Sequence, residues 1–137
     1  MTPFILDCSV VMARHFEDEK TNYADRVLEG LKTHAAHVPP ILLHEVMNAL
    51  LVAERKHRTT AAQADALLDE PALLPLDPEP LSQTRPRAMI LARHYQLTTY
   101  DTAYVELAER RRLPQAALDL RLQAAARAAA VPICHSF

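Results

Sequence analysis

Short apolar runs alternate with longer amphipathic segments along this chain, and this alternation limits the folds open to it. The short runs predict strands at residues 4–6, 37–39, 73–76, 115–118 and 131–133. Strands that alternate with helices are typical of a parallel sheet with helices on both faces. We therefore expect an α/β fold with three layers (α/β/α) around a mainly parallel five-stranded sheet. At this length we expect one domain, residues 1–137.

The longer segments carry apolar residues at the spacing of one helical face. They predict helices at residues 10–16, 22–32, 41–55, 59–68, 81–95, 101–112 and 120–129. The segment at 101–112 follows a short polar run, and Ala103, Tyr104, Leu107 and Ala108 mark its apolar face.

Scarce glycine excludes several function classes. Gly30 is the only glycine, whereas a dinucleotide-binding loop requires three, a P-loop two, and a nucleophile elbow two around its serine. A net charge of −2 gives no overall basic signal for nucleic acid or membrane. No signal peptide and no apolar run of about 18 residues is present, so we expect a soluble cytoplasmic protein with Cys8 and Cys134 as buried thiols.

Three acidic residues stand at element boundaries. Asp7 directly follows the first predicted strand, and Asp119 follows the fourth. In open parallel sheets, ligands bind beyond the carboxyl ends of the strands. Asp101 precedes a helical face. Because Asp is also a preferred helix N-cap, both Asp7 and Asp101 have a purely structural interpretation as well.

Glu45 is the fourth acid of interest. On a helical wheel it lies beside the apolar arc of residues 41–53, so its carboxylate is expected to be largely desolvated. A buried carboxylate requires a partner, a proton or a metal ion. Asn48 falls on the same side and is a candidate to orient it. The alternative is that Glu45 reaches solvent at the edge of the core.

If these four segments meet at one end of the sheet, they form an acidic pocket. Like charges ionise together at close range only with a cation nearby, and carboxylate oxygens suit Mg²⁺ or Mn²⁺. Such ions polarise a phosphodiester, activate water and stabilise the leaving oxygen. The pattern therefore indicates metal-assisted phosphodiester hydrolysis.

Four stretches resemble the PIN-domain ribonucleases, in particular the VapC toxins of type II toxin–antitoxin pairs. They are "ILDCSVVMARHF", "VPPILLHEVMNALL", "ARHYQLTTYDTAYVELAERRRLP" and "AALDLRLQAAA". The resemblance implies a PIN-like fold with Asp7, Glu45, Asp101 and Asp119 as the catalytic and metal-binding acids. Ser9 then matches a hydroxyl near the metal, and Asn48 an Asn that often follows the Glu. Ala117 departs from the family, which commonly has Thr two residues before the last acid.

The same resemblance implies an Mg²⁺- or Mn²⁺-dependent endoribonuclease that acts on tRNA or other structured RNA. It also implies a homodimer and a cognate VapB-type antitoxin that places a basic side chain in the acidic pocket. Basic clusters at 54–58 and 109–112 are candidate RNA contacts, although solvated helix ends explain them equally. The arginines concerned are Arg55, Arg58, Arg110, Arg111 and Arg112.

The sequence also bears on other functions. A receiver-type signalling domain also has a parallel sheet and an Mg²⁺ pocket, but it uses a late Lys, and the last lysine here is Lys56. A PIN-like module that binds RNA or protein without cleaving it stays an alternative, as does a PIN nuclease in RNA processing outside toxin–antitoxin biology.

Overall fold

A four-stranded parallel sheet forms the centre of the computed structural model, which describes residues 2–16, 18, 21–69, 74, 76–79 and 85–135. The strands are β1 (Phe4–Leu6), β2 (Ala36–Val38), β3 (Leu76–Pro78) and β4 (Gln115–Ala116). The helices are α1 (Cys8–Ala13), α2 (Asn22–Gly30), α3 (Leu42–Arg55), α4 (Ala61–Leu67), α5 (Arg85–Tyr95), α6 (Thr99–Arg111) and α7 (Leu120–Ala128).

The strand order is β3-β2-β1-β4, and every pairing within it is parallel. The chain moves outward from β1 through β2 to β3 and then returns to place β4 on the other side of β1. The sheet therefore has a topological switch point between β1 and β4. In open α/β sheets the crevice beyond the carboxyl ends at such a point is where ligands bind.

Helices cover both faces of the sheet. All three residues of β1 are fully buried, and successive strand side chains point to opposite faces, so both faces must be covered. Helix α6 packs against β1 and β4, while α1 packs against α2 and α3. The predicted α/β class and its parallel sheet are thus confirmed.

Helix α6 is more deeply buried than its sequence indicated. The prediction gave it one apolar face, but all residues from Thr102 to Ala108 are buried, including Glu106 at 2% exposure. Helices α5 and α7 both contact it, which explains why it has no broad solvent face. The Glu106 carboxylate accepts a hydrogen bond from Arg110 Nε at 2.9 Å, four residues later. The next helical turn thereby balances this buried charge.

Two strands differ most from the prediction, whereas β2 is shifted by one residue and β4 ends two residues early. The third was expected at residues 73–76 and instead occupies Leu76–Pro78; residues 73 and 75 lie outside the described part. Pro78 fits this position because β3 is an edge strand of the described sheet, where a missing N–H is tolerated. The expected fifth strand is reduced to a single parallel bridge between Ile133 and Gln115.

The predicted helices agree with the structure to within a few residues. Thr60 caps α4 in a reciprocal capping box with Gln63. Residues 81–84 of the predicted 81–95 helix lie outside the described part. Cys8 and Cys134 are both buried. In the part of the chain that the structure describes, no helix is both long and apolar enough to cross a membrane.

Candidate active site

The four predicted acids border one cavity of about 890 Å³ at the switch point. Asp7 follows β1, Glu45 lies in the first turn of α3, Asp101 in the first turn of α6, and Asp119 precedes α7. The remaining lining residues are Cys8, Ser9, Met12, Ile41, His44, Asn48, Ala49 and Tyr100. The fold therefore gathers carboxylates from four separate segments.

Asp7 caps a helix, as its sequence position suggested, and it also lines the cavity. It is the N-cap of α1, with its side chain accepting a hydrogen bond from Ser9 N at 3.0 Å. Ser9 Oγ also donates to Asp7 Oδ2, while it accepts from Leu118 N at 3.0 Å. Ser9 thus joins the ends of β1 and β4 and fixes the Asp7 carboxylate at the cavity.

Glu45 is held by a tyrosine that the sequence analysis assigned only to packing. The hydroxyl of Tyr104, a fully buried side chain, donates to Glu45 Oε1 at 2.6 Å. The pKa of Tyr104 is raised well above its ordinary value by burial first and by neighbouring negative charge second, so the phenol stays a donor. Asn48, the predicted partner of Glu45, also lines the cavity. Within the described residues, the two side chains do not form a hydrogen bond with each other.

Asp101 is not the cap of α6. Thr98 is the N-cap, and its side chain accepts from Asp101 N at 3.1 Å. The Asp101 side chain is therefore not required for capping. Its Oδ2 lies 3.5 Å from Nη2 of Arg121, a residue that the sequence analysis did not single out. In the sequence, this contact could have been suspected because Arg121 is a basic residue two positions after the strand-end acid Asp119.

Asp119 caps α7, with Oδ1 accepting from Arg121 N at 2.9 Å and from Leu122 N at 3.3 Å. It is exposed. Ala117, which stands where the family commonly has Thr, is fully buried. The side chain of Gln123 donates to the Ala117 carbonyl at 2.6 Å, so an amide from α7 ties down the segment before Asp119.

The electrostatics of the cavity disfavour negative charge on Asp7. Its pKa is raised from 3.8 to about 6, mainly because burial penalises the ionised form, although hydrogen bonds from Ser9 oppose the rise. The negative charges of Asp101 and Asp119 contribute further to the increase. Carboxylates crowded in this way attract a cation.

Glu45 behaves similarly. Burial raises its pKa from 4.5 to about 7, against the lowering effect of the Tyr104 hydrogen bond. The charges of Asp7 and Asp101 add to the increase. The negative charge of Asp101 therefore raises the pKa of both Asp7 and Glu45.

The donor set suits a hydrated divalent cation. Among the described residues, no three His, Cys, Asp or Glu side chains are close enough to form a ready-made metal-ligand group. Mg²⁺ does not require such a group, because it usually keeps several waters and binds one or two carboxylates directly. A cavity of about 890 Å³ with four carboxylates on its walls accommodates an ion bound in this manner.

Two further side chains border the cavity. Tyr100, at the start of α6, is 56% exposed. His44, next to Glu45 near the start of α3, lies on the same cavity. Both side chains reach it because the start of α3 and the start of α6 face the same open space.

The predicted RNA-contacting arginines are partly occupied by acidic partners. Arg58 pairs with Asp18 at 2.8 Å, and Arg111 Nε lies 3.1 Å from Glu79 Oε1. Arg110 pairs with Glu106, as described above. Arg55 and Arg112 are exposed at helix ends. Arg55 is ten residues after Glu45 on α3, about 15 Å along the axis, so an RNA contact there would lie away from the carboxylates.

The fold and the cavity together define a class of protein: a parallel α/β domain with a carboxylate-lined cavity at its switch point. The family model of the PIN domain matches residues 4–128, and the chain belongs to the PIN domain family. Proteins of this family are generally metal-dependent nucleases.

Solved structures with a similar fold include the crystal structure of PAE2754 from Pyrobaculum aerophilum, with a TM-score of 0.65 and 22% sequence identity. The similarity covers 90% of this chain and 86% of that chain. At this identity the likeness concerns the fold alone. A comparison with curated proteins found no match.

The Tyr104 hydrogen bond gives a direct test of how Glu45 is positioned. Tyr104→Phe removes one hydroxyl from a fully buried ring and leaves the packing of α6 intact. We expect the affinity for Mn²⁺ to fall about tenfold, because partners that orient a metal-binding carboxylate typically contribute 10–100-fold. Isothermal titration with Mn²⁺ measures this effect. Tyr95→Phe, on α5 and away from the cavity lining, is the matched control, and an equal loss there would contradict the assignment.

Proposed function

We propose that this protein is an Mg²⁺- or Mn²⁺-dependent endoribonuclease that cleaves structured RNA such as tRNA. The observation that carries the proposal is the convergence of Asp7, Glu45, Asp101 and Asp119 on one cavity in a PIN-family domain. A cavity that concentrates negative charge in this way attracts a divalent cation, and the cation in turn attracts a phosphate.

The side chains of the cavity have distinct tasks in this proposal. Asp7 and Asp101 hold the cation, with Glu45 and Asp119 completing the negative wall. When bound, the cation polarises the phosphodiester and lowers the pKa of the attacking water. Ser9 fixes Asp7, and Tyr104 fixes Glu45, so that neither carboxylate needs to reorganise during the reaction. The exposed ring of Tyr100 supplies a surface on which an unpaired base can stack.

Cleavage of a labelled RNA tests the proposal. The purified chain is incubated with a fluorescently labelled tRNA and with DNA of the same sequence, in Mg²⁺, in Mn²⁺ and in EDTA. We expect internal cleavage of the RNA only when a divalent cation is present. Binding without cleavage in every metal would contradict the nuclease assignment and favour the non-catalytic PIN-like module.

We also propose that the protein is the toxin of a type II pair, neutralised by a VapB-type antitoxin. An acidic cavity open to solvent suits insertion of a basic side chain from such a partner. A small neighbouring gene that encodes a DNA-binding N-terminus and a basic tail is the expected companion. Growth arrest on expression of this chain alone, with rescue when that gene is co-expressed, tests the pairing. Unimpaired growth would favour an RNA-processing nuclease instead.

A homodimer is part of the same proposal. Leu43, Met47 and Leu51 are exposed at four-residue spacing on α3, and they form an apolar stripe beside the buried Leu42 and Leu50. An exposed apolar stripe on a helix is typical of a protein–protein interface.

Charge placed in this stripe is expected to separate the subunits. Met47→Glu puts a carboxylate at the centre of the proposed interface, where desolvating it is costly. We expect light scattering to report a monomer for this variant and a dimer for the wild type. Met89→Glu on α5 is a matched control, because Met89 and Met47 are 42% and 40% exposed. Dissociation by Met89→Glu alone would assign the interface to α5.

A further inference from the structure

Arg121 is a cation that contacts two of the acidic residues lining the cavity. It is the second residue of α7, and its backbone N–H donates to Asp119 Oδ1 at 2.9 Å. Its guanidinium Nη2 lies 3.5 Å from Asp101 Oδ2. One residue therefore touches two of the four carboxylate-bearing segments, through its backbone on one side and its side chain on the other.

The ion pair between Arg121 and Asp101 is weak. The Arg121 side chain is 69% exposed, and exposed ion pairs contribute little because water screens them. By contrast, Arg87 makes two hydrogen bonds with the Glu109 carboxylate, at 3.0 Å and 2.6 Å. That carboxylate does not line the cavity. Arg121 is thus held loosely, next to the place where the proposed cation and the RNA phosphate must meet.

We propose that Arg121 alternates between Asp101 and the RNA. In the metal-free protein the guanidinium neutralises Asp101, so it would compete with a divalent cation for that carboxylate. With Asp101 occupied by a cation, Arg121 would be free to contact a phosphate beside the bond to be cleaved, for which its planar fork of donors is suited. This inference rests on the proposed nuclease function and adds to it a substrate-contacting residue.

The proposal predicts that loss of the Arg121 charge changes metal affinity and RNA affinity in opposite directions. An arginine with a purely structural role would not produce this result. Removing the guanidinium should strengthen the binding of a metal ion to the RNA-free protein, because a competing positive charge disappears. The same change should weaken binding of RNA to the metal-loaded protein, because a phosphate contact disappears. Loss of fold or of cavity shape would weaken both.

Arg121→Gln tests both halves, since glutamine keeps a polar side chain and removes the charge. Mn²⁺ alone is titrated into the RNA-free protein by calorimetry, and we expect the dissociation constant to fall about threefold to tenfold. A tRNA made non-cleavable by 2′-O-methylation is then titrated in Mn²⁺ by fluorescence anisotropy. We expect roughly tenfold weaker binding and a salt slope reduced by about one.

Two further variants complete the experiment. Arg127→Gln removes the same charge from an exposed site on α7, six residues later, and should change the Mn²⁺ dissociation constant less than about twofold. Arg121→Lys retains the charge and should restore Mn²⁺ affinity to the wild-type value, while it restores RNA affinity only in part because it lacks the planar fork.

Specific outcomes overturn the proposal. If Arg121→Gln binds Mn²⁺ as the wild type does, or more weakly, Arg121 does not compete with the cation. If its RNA affinity is unchanged, Arg121 does not contact a phosphate. If Arg121→Gln and Arg127→Gln have equal effects, those effects come from the change in net charge alone. If the wild type cleaves RNA while Arg121→Gln binds Mn²⁺ and RNA as the wild type does, only the Arg121 proposal fails. If the wild type cleaves no RNA but the opposite binding shifts occur, only the nuclease function fails.

Discussion

Asp7→Asn is expected to abolish metal-dependent RNA cleavage and, at the same time, to stabilise the metal-free fold. Cleavage should fall on the order of a thousandfold or more, because a metal-binding charge worth several kcal/mol in the transition state is lost. The fold should survive, since Asn is as good an N-cap as Asp and its side-chain oxygen still accepts from Ser9 N.

The gain in stability follows from the raised pKa of Asp7. The shift from 3.8 to about 6 corresponds to about 3 kcal/mol of unfavourable ionisation. The asparagine amide carries its own desolvation penalty, so we expect a net gain on the order of 2 kcal/mol at pH 8. The folded state binds the Asp7 proton more tightly than the unfolded state does. The gain is therefore full above pH 6 and disappears as the pH falls towards 4.

Urea unfolding of the metal-free proteins at several pH values measures this effect. A second variant, Asp7→Ala, separates charge from capping, because it removes both. Its free energy of unfolding should be about 1 kcal/mol lower than that of Asp7→Asn. Added Mn²⁺ should raise the melting temperature of the wild type but not that of Asp7→Asn. Cleavage by Asp7→Asn at the wild-type rate would show that the active site lies elsewhere.

Asp101→Asn is expected to have the second-largest effect. Its side chain faces the cavity without capping α6, which Thr98 does instead. We therefore expect metal-dependent cleavage to fall by about a hundredfold or more, with the free energy of unfolding changed by less than about 0.5 kcal/mol. The dimer should persist, because Asp101 lies on a different helix from the proposed apolar stripe.

Asp25→Asn is the matched control for this variant. Asp25 also lies in the first turn of a helix capped by a threonine, Thr21, but it is exposed and outside the cavity lining. The two substitutions change the same charge near the same helix-dipole position. Cleavage lost equally in both variants would contradict a specific role for Asp101. Calorimetric titration with Mn²⁺ should show weakened binding in Asp101→Asn alone.

Local features of the sequence predicted the elements that carry the cavity. The apolar run at residues 4–6 and the acid after it identified β1 and Asp7, because a buried strand and its end are encoded by adjacent residues. The third strand was misplaced for the converse reason. Proline-rich residues around β3 carry no clean alternation, and an edge position decides which of them pair.

Burial was harder to predict than secondary structure. The second half of α6 contains several charged residues, and nothing in its sequence indicated that Glu106 would be buried. That outcome depends on α5 and α7 packing around α6, together with the balancing contact from Arg110. Tyr100, in the same helix, ended on the surface because the cavity opens beside it.

By itself, the sequence determined the parallel α/β class and identified the four candidate acids, because periodicity and strand ends are local properties of the chain. The tertiary structure decided how those acids are held. Tyr104 reaches Glu45 across 59 residues, and Ser9 joins Leu118 across 109. The partner of Asp101 proved to be Arg121. Such contacts depend on how separate elements pack against one another, and no local pattern of residues encodes that packing.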